Sequence, residues 1–241
     1  MNKLEYRQDV NLDLHIRRIR VIFRNVLGIV VTLLIVVSIY LIFFYAPVEM
    51  EMGLPQKIFY FHVPSAWVSF LAFAVTFICS IGYLRKRTNN FDVWAISSAE
   101  IGLLFCTVAI ITGSIWAKGS WNTWWDWRES RLTTTLALWS FYAAYLILRT
   151  AFEGEQKRIN AAVMGIISFV MVPIVFFSIR WWGGDLHPIR VGMQVRMKVA
   201  FFTSLFTFTI FYVYLLLLRS DIESLTRQVE DIRRESISEI E

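Results

Sequence analysis

The stretch VLGIVVTLLIVVSIYLIFFYA, residues 26–46, decides the fold class, because it runs for 21 residues without a single charged side chain. A helix rises about 1.5 Å per residue, so a run of this length crosses the roughly 30 Å hydrocarbon core of a bilayer. Nothing in it alternates between polar and apolar, as a half-buried strand would. Working outward, five further segments share this character, at roughly 64–84, 94–116, 132–152, 159–180 and 197–218. The expected fold is all-α: a polytopic bundle of six transmembrane helices over residues 26–218. A basic segment, 1–25, precedes it and a helix, 219–241, follows. The connections are short and charged and leave no room for a separate globular domain.

Composition agrees. Hydrophobic residues make up 56% of the 241, whereas soluble domains hold about 45–50%. Mean hydropathy is +0.53. No cleavable signal peptide is expected, since the first apolar run follows some twenty-five polar residues and is long enough to span. Cys79 and Cys106 fall in different apolar segments and read as small buried hydrophobes. Orientation follows from Lys and Arg. With the N-terminus inside, sixteen fall on inner segments and eight outside, and the run Arg85-Lys86-Arg87 is the clearest local vote. Both termini are therefore expected to be cytoplasmic, in the cytoplasmic membrane of a bacterium or archaeon.

The two ends have helical patterns of their own. Residues 12–24 mix Ile16, Ile19 and Phe23 with Arg17, Arg18, Arg20 and Arg24, as a basic helix on an anionic leaflet would. Topology-setting charge alone explains them equally well. Ile222, Leu225, Val229 and Ile232 form one narrow apolar stripe on the continuation of the last span, a candidate docking stripe for a partner subunit.

The outer loops, approximately 47–63, 117–131 and 181–196, carry the unusual residues. Trp67, Trp116, Trp121, Trp124, Trp125, Trp127, Trp181 and Trp182 lie on or near them, while only Trp94 sits at the inner boundary. An anchoring belt should be two-sided. Four indoles within residues 121–127 instead suit a platform for a large planar apolar ligand, with indole N–H groups for its polar rim. His62 and His187 share this side, while His15 lies in the basic tail. Each stands just ahead of a proline, Pro64 or Pro188, and is expected in an extended or turn position and not a helix interior. A neutral imidazole is a common metal ligand, and two can serve as axial ligands on opposite faces of a haem iron. Arg128, Arg131, Arg180, Arg190 and Arg196 border the outer ends of the spans, where snorkelling or an anionic ligand would account for them. Asp126, Glu129 and Asp185 could orient a histidine or position an arginine. Within the spans, Glu100 is a functional candidate near the inner boundary. Thr112, Gly113 and Ser114 read as helix packing. Pro173 is expected to kink the fifth span and tilt the loop after it toward the tryptophan stretch.

At these residues the chain resembles the haem-handling membrane proteins with a tryptophan-rich "WWD" signature, and among them the family of cytochrome c maturation protein C, also called haem exporter protein C. The resemblance covers nearly all of the six-span region. It rests on Phe61-His62-Val63-Pro64-Ser65-Ala66-Trp67, on the run from Gly113 through Trp127 into Arg131-Leu132-Thr133, and on Trp181-Trp182 followed by His187-Pro188. It implies a non-enzymatic protein that holds haem b non-covalently at the periplasmic or exterior face. The haem would pass to a membrane-anchored haem chaperone. An ABC transporter ATPase and permease and a small single-span subunit would be partners, with the lipid bilayer around them and no nucleic acid. Carried over, His62 and His187 are axial ligands, and Trp116, Trp121, Trp124, Trp125 and Trp127 form the platform. One departure stands out. The family reads Trp-Trp-x-Trp-Asp-x-Arg-Leu-Thr, whereas residues 124–133 here hold one extra residue. The motif acid is Asp126 or Glu129, with the register from Arg131-Leu132 favouring Glu129, and the role of Arg128 depends on the choice.

The rival readings are a haem–cytochrome c ligase of the same superfamily, a b-type electron-transfer cytochrome and a secondary transporter. The first two would favour histidines within spans, and none is expected there. The third would favour midplane charges or broken helices, of which only Glu100 and Pro173 give a hint.

Overall fold

In hydrocarbon a backbone N–H or C=O has no water to bond, so each apolar run must close its hydrogen bonds internally as a helix. The computed structural model describes residues 3–183 and 192–238, with side chains for 18–183 and 192–237. It holds α1 (Lys3–Tyr40), a π turn (Leu41–Tyr45), a short 3-10 helix (Leu54–Ile58), α2 (Phe59–Lys86), α3 (Asn89–Trp121), α4 (Ser130–Leu148), α5 (Gly154–Phe169), α6 (Met171–Trp182) and α7 (Val195–Ser238). Among the described residues there is no strand beyond a single bridge between Glu49 and Gly53. Arg18–Tyr45, Leu54–Lys86, Asn89–Trp121, Gly154–Trp182 and Val195–Ile237 are long and apolar enough to cross a membrane. The fourth expected span corresponds to α4, 19 residues long with Thr133, Thr134 and Thr135 near its start, and it is not among these five.

The middle of α1 meets the second half of α7, toward the side of the two termini, where Arg24 bonds Asp221 at 2.9 Å. We call this the terminal end of the bundle. The opposite end gathers the finish of α1, α3 and α6 with the starts of α2, α4 and α7. The helical run over the fifth span breaks at Val170, between α5 and α6, one turn before Pro173. Proline has no N–H for the carbonyl four residues back, so the interruption falls where that bond is missing.

The α2–α3 contact is close because small residues face large ones. A Cβ on Gly102 would lie 2.6 Å from the Phe73 ring, and that ring stacks on Tyr142 of α4 at 3.6 Å between centroids. Phe73, Cys106, Leu138, Tyr142, Tyr145 and Val175 make one buried cluster. Cys106 is buried and Cys79 half-buried, both as free thiols, in keeping with their reading as packing residues.

Charge at the terminal end is matched in a chain. Arg149 pairs with Asp92 through two contacts of 2.7 and 2.9 Å, and both side chains are almost fully buried. Arg227 bonds Asp92 at 2.7 Å and Glu223 at 2.9 Å. Arg219 bonds Glu223 at 3.1 Å and Glu100 at 2.5 Å. Six alternating charges thus join α3, α4 and α7, and Glu100 is a half-buried member of this chain with a matched charge. The stripe of Ile222, Leu225, Val229 and Ile232 is exposed, at 56–64%.

Removing one partner of a buried ion pair leaves the other uncompensated, at a cost of about 3–5 kcal/mol. Asp92→Ala strands Arg149, and thermal unfolding in detergent should show a markedly lowered midpoint. An unchanged midpoint would remove the ion chain as a structural element.

Candidate functional site

The local structure at the opposite end begins with Lys57. It is buried, and its ammonium donates to the carbonyls of Ile42 at 2.5 Å and Ala46 at 3.2 Å. These carbonyls end α1, where a cation is favoured by the helix dipole. Lys57, counted in the sequence among outer loop charges, therefore pins α1 to the segment that leads into α2.

His62 lies in the first turns of α2, inside a stretch long enough to cross a membrane. This corrects the expected extended or turn position and the expectation that no span holds a histidine. Pro64 is two residues on, the sixth residue of α2 and so inside the helix, just past the first turn whose N–H groups lack partners anyway. The carbonyl that Pro64 leaves without its helical donor is that of Tyr60, and Ser204 of α7 donates to it at 2.5 Å.

The His62 ring faces α3. Its Nδ1 lies 3.0 Å from the Ala109 carbonyl and 3.2 Å from Thr112 Oγ1. Thr112 donates its own proton to the Val108 carbonyl at 2.7 Å. Both neighbours of Nδ1 therefore accept, so Nδ1 carries the proton and, in the neutral ring, Nε2 carries the lone pair. A Cβ on Gly113 would lie 2.8 Å from His62 Cε1, so only glycine leaves room for the ring. Trp116, one turn further, meets the ring edge-on at 5.7 Å.

The tryptophans divide. Trp116 is 6% exposed and packs in a core cluster with Phe59 and Met197. It backs His62, in place of the expected platform position. Trp121 is the last residue of α3 and not a loop residue, tilted against Trp116 at 5.7 Å. The helix ends at Asn122, whose φ of 57 is a left-handed stop that Asn adopts readily. Trp125 is half-buried and touches Trp127 edge-on at 5.6 Å. The indole N–H groups of Trp116 and Trp125 are buried with no partner among the described residues. Trp124 and Trp127 are exposed, as are Trp181 and Trp182 at the end of α6. Ser130 donates to the Gly183 carbonyl at 2.6 Å, which joins the end of α6 to the end of the tryptophan stretch. The sequence reading left Trp181 and Trp182 out of the site, although their pairing on one helix end was the available signal.

Asp126 and Glu129 take different places. Asp126 accepts from the Arg128 side chain at 2.8 and 3.1 Å and from the Arg128 backbone N–H at 2.9 Å. These bonds, the side-chain ones first, hold its carboxyl at about 2. Glu129 is buried and stands at the cap position of α4, with its carbonyl accepting from Thr133 N–H at 3.2 Å. Arg131 donates to the Phe176 carbonyl at 3.3 Å, and its Nε is buried without a partner among the described residues. It is near enough to Arg180 for the two charges to repel. His187, Asp185 and Arg190 lie outside the described residues. No cluster of three His, Cys, Asp or Glu that could hold a bare metal ion occurs among the described residues.

A family model described as Heme exporter protein C matches residues 14–235. The chain belongs to that family. It is similar to Heme exporter protein C of Bradyrhizobium diazoefficiens, at 32% identity over 195 residues, 78% of this chain and 74% of the relative. It is also similar to Heme exporter protein C of Haemophilus influenzae, at 31% identity over 197 residues, 79% of this chain and 78% of the relative. Heme exporter protein C of Rhodobacter capsulatus is 28% identical over 200 residues, 80% of this chain and 82% of the relative. The resemblance seen in the motifs is thus a family membership that extends over both terminal helices.

Two outcomes test this member's geometry directly. In protein labelled with 15N-histidine, the nitrogen shifts of His62 should report a proton on Nδ1. Gly113→Val should abolish that signature, and a variant that kept it would remove the close seat. The Asp126–Arg128 pair, with a depressed carboxyl pKa, contributes fully above the unfolded value near 3.8 and is lost only as pH falls through about 2. Loop changes on acidification from pH 8 to 5 should therefore be the same in Asp126→Asn and in the wild type, as read by tryptophan fluorescence.

Proposed function

We propose that this Heme exporter protein C family member holds haem b non-covalently at the end of the bundle opposite its termini and passes it to a membrane-anchored haem chaperone during cytochrome c maturation. The observation that carries the reading is the seat of His62. A histidine whose Nδ1–H is held by a backbone carbonyl presents Nε2 in a fixed orientation, which is the arrangement of metal-ligating histidines. Haem is the cargo, and the residues present suit it. His62 Nε2 supplies one axial ligand, and His187 the other from the segment after α6. Trp124 and Trp127 offer exposed indole faces to the macrocycle, joined across Ser130 and Gly183 to Trp181 and Trp182. Trp116, Trp121 and Trp125 support these from behind.

Arg131 and Arg180 have no ion-pair partner among the described residues. Two guanidiniums brought near each other, with the single carboxylate of Glu129 beside them, suit a further carboxylate ligand, and haem has two propionates. Arg128 is turned instead to Asp126, which leaves Glu129 as the acid that meets the α4 start and balances Arg131.

The haem face is periplasmic or exterior, with both termini in the cytoplasm, on the excess of Lys and Arg at the terminal end. The protein delivers cargo and breaks no bond of its own. Its working partners are an ABC transporter ATPase and permease and a small single-span subunit. Since His62 lies within α2, a histidine inside a helix no longer separates this reading from a haem–cytochrome c ligase, and direct transfer to apocytochrome must be measured beside transfer to the chaperone.

Absorption spectra of the detergent-purified chain test the site. His62→Ala and His187→Ala should each lower haem affinity by more than about 100-fold, beyond the roughly 10–100-fold that changes around a ligand cause. Arg131→Ala should lower it about tenfold, the worth of a charge-assisted hydrogen bond of about 1.5 kcal/mol. Haem retained unchanged in the double histidine variant overturns the axial assignment. Haem stain appearing on apocytochrome in place of the chaperone, with this chain alone, would assign the ligase reaction.

A further inference from the structure

A cleft of about 280 Å³ opens at the terminal end between α1, α3 and α7. Two guanidiniums, of Arg20 and Arg24, face one carboxylate, of Asp221, at 3.8 and 2.9 Å. One positive charge is left over. Phe23 of α1 and Leu217 of α7 supply apolar wall beside the polar Asn90, Ser220 and Ser224, and Trp94 of α3 lines one side. The Trp94 indole N–H makes no hydrogen bond among the described residues. The start of α3 also borders the cleft. Its cap residue Thr88 makes no side-chain cap bond, so the first-turn N–H groups other than that of Phe91, which donates to the Thr88 carbonyl at 3.2 Å, remain as donors there. The arginines stand just before the first uncharged apolar run, which begins at residue 26.

We infer that this cleft binds the phosphate head group of an anionic phospholipid. The four features converge on that class. Residual positive charge and helix-start donors select an anion. Apolar walls at the edge of a membrane span receive the glycerol and the first chain carbons, which a free phosphate lacks. An indole with a free N–H is the side chain that sits at head-group depth. Basic crevices between membrane helices bind anionic head groups by this combination of charge and depth. The site is separate from the haem platform and uses none of its residues. It also gives a role to Trp94, the one tryptophan at this end, and to the arginines of the first helix.

Native mass spectrometry of the full chain in detergent tests the inference, with phosphatidylglycerol titrated into delipidated protein. Phosphatidylethanolamine and inorganic phosphate are the comparators. Arg20 is 67% exposed, so Arg20→Gln should leave the fold intact. It should weaken phosphatidylglycerol binding about fivefold, the share of one basic residue near an anionic surface. Asp221→Asn removes the competing carboxylate and should strengthen binding by a similar factor, an increase that misfolding could not produce. Equal binding of phosphatidylethanolamine, displacement by millimolar inorganic phosphate, or wild-type affinity in both variants would each overturn the site.

Discussion

The close approach of α2 and α3 is the constraint from which the rest follows. Between helices in lipid there is little hydrophobic drive, and association rests on van der Waals contact, which small residues permit. Gly102 admits the Phe73 ring and Gly113 admits the His62 ring. The first contact aligns the aromatic stack that reaches α4. The second sets His62 against a backbone carbonyl three to four residues earlier on α3, so the same register that packs the bundle also fixes a tautomer. Trp116 completes the arrangement one turn further along α3, filling the space behind the imidazole.

The two ends of the bundle treat charge in opposite ways. At the terminal end, Asp92, Glu100 and Glu223 alternate with Arg149, Arg219 and Arg227, and each charge has a partner of opposite sign within hydrogen-bonding distance. Such a chain holds three helices together and presents little net field. At the far end, Lys57 is spent on backbone carbonyls and Arg128 on Asp126, while Arg131 and Arg180 repel each other with the one carboxylate of Glu129 near Arg131.

The sequence made the bundle legible because apolar length is a one-dimensional signal, and residues 26–46 or 197–218 need no partner to be read. It made the tryptophan stretch legible for the same reason. Boundaries were less so. The third span runs on to Trp121, since Trp116 and Trp121 bury against Phe59 and each other, a contact no periodicity reveals. His62 was misplaced because the effect of Pro64 depends on where the helix begins, and that is set by the 3-10 turn at Leu54–Ile58 and by Lys57. The roles of Asp92 and Lys57 were hidden altogether. Each looks like a loop-end charge in sequence, and only the helices brought beside it show it to be buried. Asp126 and Glu129 differ in burial, Glu129 being buried and Asp126 half-buried, which the spacing alone does not reveal. His187 lies outside the described residues, so its part rests on the motif.

Pro64 has a consequence beyond the helix it occupies. By lacking an N–H, it leaves the Tyr60 carbonyl with capacity to spare, in a medium where unused capacity is expensive. Ser204 of α7 takes it up. A gap in the hydrogen bonding of one rod thus becomes a joint between two. The rod so joined is the one that carries the chain away from His187, and the joint sits two residues from His62. Helices whose backbones were complete would slide past each other with nothing to mark their register. Here the incomplete one supplies the notch.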